Sequence, residues 1–235
     1  MSRYARMLWN CPLSEAHATT LLAVLDVSGG RSIVDLGCGW AELLLRALAA
    51  APAGVRGIGV DTDQAALARA RALATDQGLV DRVTFDAMPA ADWSGSADRV
   101  ICIGAAHAFG GTDQALQSLR RVVAPGGRAL FGDGIWQVPP GEEALAMFGQ
   151  DVRPLTDLAE AATNAGWRVL HLSTADQREW DVFESSWRQG RQEWLLGHAG
   201  DHHAAEVRAD LDQQQRDYLH VYRGVLGFAY LVLGH

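Results

Sequence analysis

The sequence predicts an α/β fold, a doubly wound, mostly parallel seven-stranded sheet with helices on both faces. Three observations carry that expectation. Short β-branched runs alternate with leucine- or alanine-rich helical stretches from residue 32 to residue 132, with short connections. The first three of these runs end at acids: Asp35, Asp61 and Asp86. Beyond the first acid come two glycines one residue apart, Gly37 and Gly39. Strands and helices joined in this way pack as right-handed parallel crossovers. A chain of 235 residues holds one sizeable core and is short for two. Residues 1–235 therefore read as a single domain: 1–30 an N-terminal lid and helix, 31–175 the ligand-binding core, 176–223 a helical cap, 224–235 the last strand.

Met1 to Pro12 reads as irregular, with Tyr4 and Trp9 as its large residues. Ser14 and Glu15 start a helix with Leu21, Leu22 and Leu25 on its apolar face, and Gly29-Gly30 ends it. The run from Ser32 through Leu36 is a buried strand. Gly37 and Gly39 permit positive φ and close approach of a ligand to the main chain. The helix from Glu42 to Ala50 then points its free N–H groups over the turn, and Pro52 and Gly54 close it. Gly57 to Val60 is a second strand, ending at Asp61, and Asp63 caps an alanine-rich helix reaching about Gln77. Arg82 to Phe85, ending at Asp86, and Asp98 to Ile103 are the third and fourth strands. A helix from Thr112 to Val123 stops at Pro125-Gly126-Gly127, before a fifth strand from Arg128 to Gly132. Leu155 to Ala165 is helical and Trp167 to Leu172 a sixth strand. Long helices follow at Asp176 to Leu196 and Asp201 to Arg223, then a last strand from Gly227 to Leu233.

The formal charge is −8, and every basic residue is arginine. With no basic run, a surface that tracks nucleic-acid phosphates is not expected. Cys11, Cys38 and Cys102 form no C-x-x-C pair, which suits a reducing cytoplasm without disulfides. No signal-peptide core stands at the N-terminus, and the longest apolar run, Val225 to Leu233, is far short of the roughly 20 residues of a spanning helix. A soluble cytoplasmic protein without membrane partners is the expectation, with monomer and homodimer both open. His198, His202 and His203 are broken up by Gly197 and Gly200 and read as a surface loop, not a metal site.

Val34-Asp35-Leu36-Gly37-Cys38-Gly39 resembles the first motif of class I S-adenosylmethionine-dependent methyltransferases, and the chain looks like their bacterial small-molecule members. Glu42 stands where a dinucleotide fingerprint has its third glycine, and a carboxylate there repels a pyrophosphate but suits a cationic ligand. Ala41 departs from the family's usual third glycine, and alanine fits that position if its φ is negative. The resemblance implies a Rossmann-like methyltransferase fold whose last strand slots antiparallel between strands five and six, behind an inserted helical cap. It also implies S-adenosylmethionine as cofactor and S-adenosylhomocysteine as product.

Asp35, Gly37, Cys38 and Gly39 are then expected to seat the cofactor, with Gly104 leaving room beside it. Asp61, with Thr62, lies about 25 residues beyond the turn, near the spacing at which a carboxylate grips ribose hydroxyls. Asp86, Ala87 and Met88 are expected at the adenine. His107 is the candidate base or orienting group, because an imidazole changes charge near neutral pH. Glu42 is the second catalytic candidate, holding a polar group of the acceptor or the cofactor's cationic end. Trp9, Trp40, Phe109, Trp136 and Trp180 are candidates to contact a flat acceptor. Trp180, Phe183, Trp187 and Trp194 also share a helical stripe of the kind that packs a core. The reaction expected is in-line methyl transfer to a small aromatic or nitrogen-heterocyclic metabolite, such as an indole. The alternatives are an NAD(P)-dependent oxidoreductase and a non-catalytic cofactor-binding protein of the same fold.

Overall fold

The structure, a computed structural model, describes residues 4, 6–149 and 151–235. Expectations for residues 1–3 and 5 lie outside the described residues. The elements in order are α1 (Glu15–Leu25), β1 (Ser32–Leu36), α2 (Glu42–Ala50), β2 (Arg56–Asp61), α3 (Gln64–Asp76), β3 (Val83–Ala87), β4 (Ala97–Ile103), α4 (Thr112–Val122) and β5 (Val123–Trp136). Then come α5 (Glu142–Phe148), β6 (Arg153–Pro154), α6 (Leu155–Asn164), β7 (Arg168–Thr174), α7 (Gln177–Gly197), α8 (Ala204–Asp217) and β8 (Leu226–Gly234).

The sheet runs β3-β2-β1-β4-β5-β8-β7, the seven-strand path expected, and β6 adds a two-residue bridge to β5. Strands β1 to β5 are mutually parallel, while β8 lies antiparallel between β5 and β7. Apolar clusters pack on both faces of this sheet. Central β1 and β8 are buried along almost their whole length, as strands covered on both faces must be.

Strand β5 is much longer than the sequence implied. Val123 pairs with Ala97 and Arg128 with Arg99, so Pro125-Gly126-Gly127 bulges within the strand instead of preceding it. A Cβ on Gly127 would stand 2.7 Å from the Asp98 carbonyl oxygen. At the other end β5 continues to Trp136 because β8 pairs with it that far. Helix α5 and bridge β6 were not foreseen. Helix α8 stops at Asp217, and the expected last turn widens into a π-helical turn at Tyr218–Tyr222. There the Tyr218 hydroxyl donates to Asp181 and the Tyr222 hydroxyl to the buried Glu184, drawing both rings inward.

Glu179 is one of the side chains that tie the N-terminal helix to the C-terminal half. The capping-box residue of α7, it accepts from the Ser14 N–H at 2.8 Å and meets His17 Nδ1 at 3.1 Å. Burial opposes its ionisation, yet these partners and the Asp176 N–H hold its carboxyl down to about 2. His17 Nε2 in turn meets the Ser173 hydroxyl at 2.7 Å. All three cysteines are free, and no described helix is long and apolar enough to cross a membrane.

Candidate active site

A cavity of about 850 Å³ opens at the carboxyl ends of β1, β2 and β4. Its floor is the turn after β1, held by a specific set of bonds. Gly37 and Gly39 have φ of 84° and 53°, as expected. Gly37 is also required for space, since a Cβ there would lie 2.3 Å from that of Ala105. The N–H groups of Gly37 and Cys38 donate to the Val60 carbonyl at 2.8 and 3.0 Å, and Ala41 N–H donates to the Cys38 carbonyl. Gly39 N–H donates to Asp61 Oδ2 at 2.7 Å. Most amides of the turn are therefore committed within the chain, and the site offers a ligand mainly carboxylates.

Ala41 is a correction. Its φ is +59°, in the left-handed region, and it is buried at the entry to α2. Left-handed backbone costs an L-residue about 1–2 kcal/mol, partly offset here by alanine's smaller loss of chain entropy than glycine's. We expect Ala41→Gly to stabilise the fold by about 0.5–1 kcal/mol in a urea melt. An unchanged or lower midpoint would show that the methyl's burial outweighs the backbone strain.

Asp35 lies on the floor, 5% exposed, and accepts no hydrogen bond from the described residues. Burial, with the Asp61 charge adding to it, pushes its carboxyl from the usual 3.8 up to about 8. Asp61 ends β2 and uses both oxygens: Oδ2 holds the glycine turn, and Oδ1 accepts from Asp63 N–H at 2.9 Å. Asp63 caps α3 through the N–H groups of Ala65 and Ala66, as expected. Thr62, Cys38, Gly104, Glu42 and His107 also line the cavity. Glu42 Oε1 accepts from Arg46 Nε at 2.8 Å.

The roof is formed by Tyr4, Leu8, Trp9, Asn10, Cys11 and Leu13 of the N-terminal segment. Arg69 of α3 pins it, donating to the carbonyls of Tyr4 at 2.9 Å and Met7 at 2.7 Å. The guanidinium carbon of Arg69 lies 4.3 Å from the Trp40 ring centre, and Trp40 Nε1 donates to the Leu8 carbonyl at 2.9 Å. Trp9 lines the cavity with Arg46 packed 4.8 Å from its ring. Cys11 also faces it, its thiol pushed up to about 12 by burial and therefore not a nucleophile. Nothing in the sequence marked Arg69 or Cys11, since neither belongs to a periodic face or motif that points at a ligand.

Several expected residues are elsewhere. Asp86, Ala87 and Met88 do not line the cavity; Pro89 and Ala90 take that corner. Asp86 sits inside β3, opposite Val60 and exposed, one residue short of the strand end. Phe109 packs beside the apolar cluster around Leu116 and Phe131. Trp136 and Trp180 are core residues: Trp136 meets Phe148 edge-on, and Trp180 meets Phe183 and Tyr222. They left the cavity because β5 stays in the sheet through Trp136, and because α7 turns its stripe toward the core. No residue of 176–223 lines the cavity. The helical cap acts on the roof from outside, through Arg6 to Glu193 at 2.7 Å and Glu179 to Ser14.

Comparison with known proteins agrees with this geometry. A family model described as a methyltransferase domain matches residues 33–127. Uncharacterized protein YjhP of Escherichia coli (strain K12) is 32% identical over 229 residues, covering 94% of this chain and 92% of that protein. A SAM-dependent methyltransferase from Geobacter sulfurreducens, solved in complex with S-adenosyl-L-homocysteine, matches at TM-score 0.88 and 30% identity, over 98% of this chain and 95% of that one. Its counterpart from Thiobacillus denitrificans, also with S-adenosyl-L-homocysteine, matches at TM-score 0.87 and 27% identity over the same shares. A likeness that runs the length of the chain, over an acid-lined glycine turn unsuited to a pyrophosphate, shows that the chain belongs to the class I S-adenosylmethionine-dependent methyltransferase family.

Proposed function

We propose that this methyltransferase acts on a small aromatic or nitrogen-heterocyclic metabolite, an indole among them, in specialised metabolism in the cytoplasm. Residues 1–235 serve as one domain in this reading, with the N-terminal segment as lid. The observation that carries the substrate class is the pair of tryptophans on the cavity wall, half-buried Trp9 from the roof and the more deeply buried Trp40 from the glycine turn. Flat rings favour stacked or edge-on partners of this kind. The negative net charge and the missing basic run speak for a small molecule over nucleic acid.

The floor fits the cofactor. A buried carboxylate with no donor of its own awaits an ammonium group, and Asp61 presents its carboxylate beside Thr62 for ribose hydroxyls. The adenine would lie toward Pro89 and Ala90. When bound, the cofactor supplies an electrophilic methyl: the acceptor's lone pair forms the new bond, the carbon–sulfur pair returns to sulfur, and S-adenosylhomocysteine and one proton result. His107 accepts or steers that proton, Glu42 holds a polar group of the acceptor, and the pinned roof excludes water.

The test is methyl transfer from S-adenosylmethionine to a panel of indoles, other nitrogen heterocycles, phenols, sugars and acyl chains. Turnover in the heterocycle arm is expected; turnover confined to sugars or acyl chains overturns the aromatic reading.

The floor also makes cofactor binding pH-dependent. In the ligand-free protein Asp35 is protonated below about 8, and binding an ammonium ionises it. Affinity for S-adenosylhomocysteine should therefore rise between about pH 6 and 8, by up to about tenfold per unit, with release of about one proton. Calorimetry in buffers of different ionisation enthalpy measures that release, and Asp35→Asn should abolish the slope. The stability sign is opposite. Because folding raises this carboxyl from 3.8 to about 8, its contribution is full below 3.8 and is lost as pH rises through 8. Asp35→Asn should then lose less melting temperature than wild type across that interval.

A further inference from the structure

We propose that the acceptor meets the cavity with an uncharged or cationic N–H-bearing end, anchored by Glu42 Oε2, and that anionic acceptors are excluded. This rests on the methyltransferase reading of the same cavity and adds the charge class and the anchoring atom.

The charges lining the cavity are unequal. Four acidic side chains face it, Asp35, Glu42, Asp61 and Asp63, of which Asp35 is neutral or paired with the cofactor's ammonium, against the Arg69 guanidinium and the His107 ring. Arg69 is not available to an anion. Its two terminal nitrogens donate to the Tyr4 and Met7 carbonyls, and its face lies over Trp40. Arg46 stands nearby but is committed to Glu42 and Glu15, with its guanidinium packed on Trp9. The chain contains no lysine that could reach in. A phosphate or carboxylate on the acceptor would thus enter a negative field with no free partner, and like charges facing each other in a desolvated site are strongly unfavourable.

The four carboxylates do not share one task. Asp63 caps α3, Asp61 holds the glycine turn and faces the ribose position, and Asp35 fits the cofactor's ammonium. Glu42 remains. Its side chain is 10% exposed and lines the cavity, and only Oε1 is engaged, by Arg46. Oε2 accepts no hydrogen bond from the described residues. A carboxylate oxygen left without a protein donor on the wall of a ligand cavity can take one from the ligand. Arg46 holds Glu42 in place through Oε1, so the other oxygen is positioned before the acceptor arrives.

The test is calorimetric binding to protein saturated with S-adenosylhomocysteine, using two matched pairs: tryptamine against indole-3-acetate, and hexylamine against hexanoate. The expected result is that each amine binds at least about tenfold more tightly than its carboxylate partner, and that Glu42→Gln narrows the difference to about threefold or less while S-adenosylhomocysteine affinity stays near wild type. Equal or tighter binding of either carboxylate overturns the proposal, as does a Glu42→Gln variant that keeps the full difference, or no measurable binding of either amine. If hexylamine binds as tightly as tryptamine while the amine preference holds, the aromatic reading falls and the charge inference stands.

Discussion

His107→Ala should lower the methylation rate by about 10²- to 10³-fold while leaving affinity for S-adenosylhomocysteine within about twofold of wild type. The ring sits on the short 3-10 turn after β4, exposed to the cavity, and makes no hydrogen bond to the described residues. It is therefore open toward the cavity. Behind it, Asp133 of β5 is held by the Thr112 hydroxyl at 2.8 Å and by the Gly134 N–H. Burial raises the Asp133 carboxyl, while these two donors and the charges of Arg153 and His107 oppose that rise. A base also leaves a mark on pH: the acidic limb of the kcat/KM profile should disappear in the alanine variant. His107→Gln separates base from orienting group, because glutamine keeps a hydrogen bond but takes no proton. An alanine variant with wild-type rate would remove His107 from the reaction; a glutamine variant within about tenfold of wild type would make it an orienting group.

Asp61→Ala should weaken S-adenosylhomocysteine binding by about 10- to 100-fold, the loss of a charge-assisted hydrogen bond worth roughly 1.5–3 kcal/mol. The same change removes the 2.7 Å tie to Gly39 and the 2.9 Å tie to Asp63, so the turn and the start of α3 lose their common anchor. Melting temperature should fall with affinity. Asp61→Asn keeps an acceptor for one tie and should recover more stability than binding. If the alanine variant binds the nucleoside as tightly as wild type, the cofactor is not held at the end of β2.

Much of the cavity floor was legible in the residues themselves. Gly37, Gly39, Asp35, Asp61 and His107 all line the cavity, because strand ends and the turns beyond them are local properties that a periodic run and a glycine announce. The misreadings share one cause. Asp86 and Trp136 are read from their distance to a strand end, whereas Trp180 takes the core place that its helical stripe implies and not the acceptor contact. Where each strand ends, and which way α7 faces, depends on partners remote in sequence. β8 extends β5 to Trp136 by pairing it with Leu226, 90 residues away. Ala41 was misread for another reason: its left-handed backbone is imposed by the closed bonds of the turn, not by its own preference.

By itself, then, the sequence determined the strand–helix alternation, the parallel core and the acids at the strand ends that line the cavity, because these follow from short-range patterning and backbone permission. Only the tertiary structure decided what closes the cavity. Arg69 on α3 holds the carbonyls of Tyr4 and Met7, and Glu179 on α7 holds Ser14, pairs separated by 62 to 165 residues. Such contacts have no local signal. They exist because burying unpaired carbonyls, amides and carboxylates is unfavourable, and folding brings a distant partner to each.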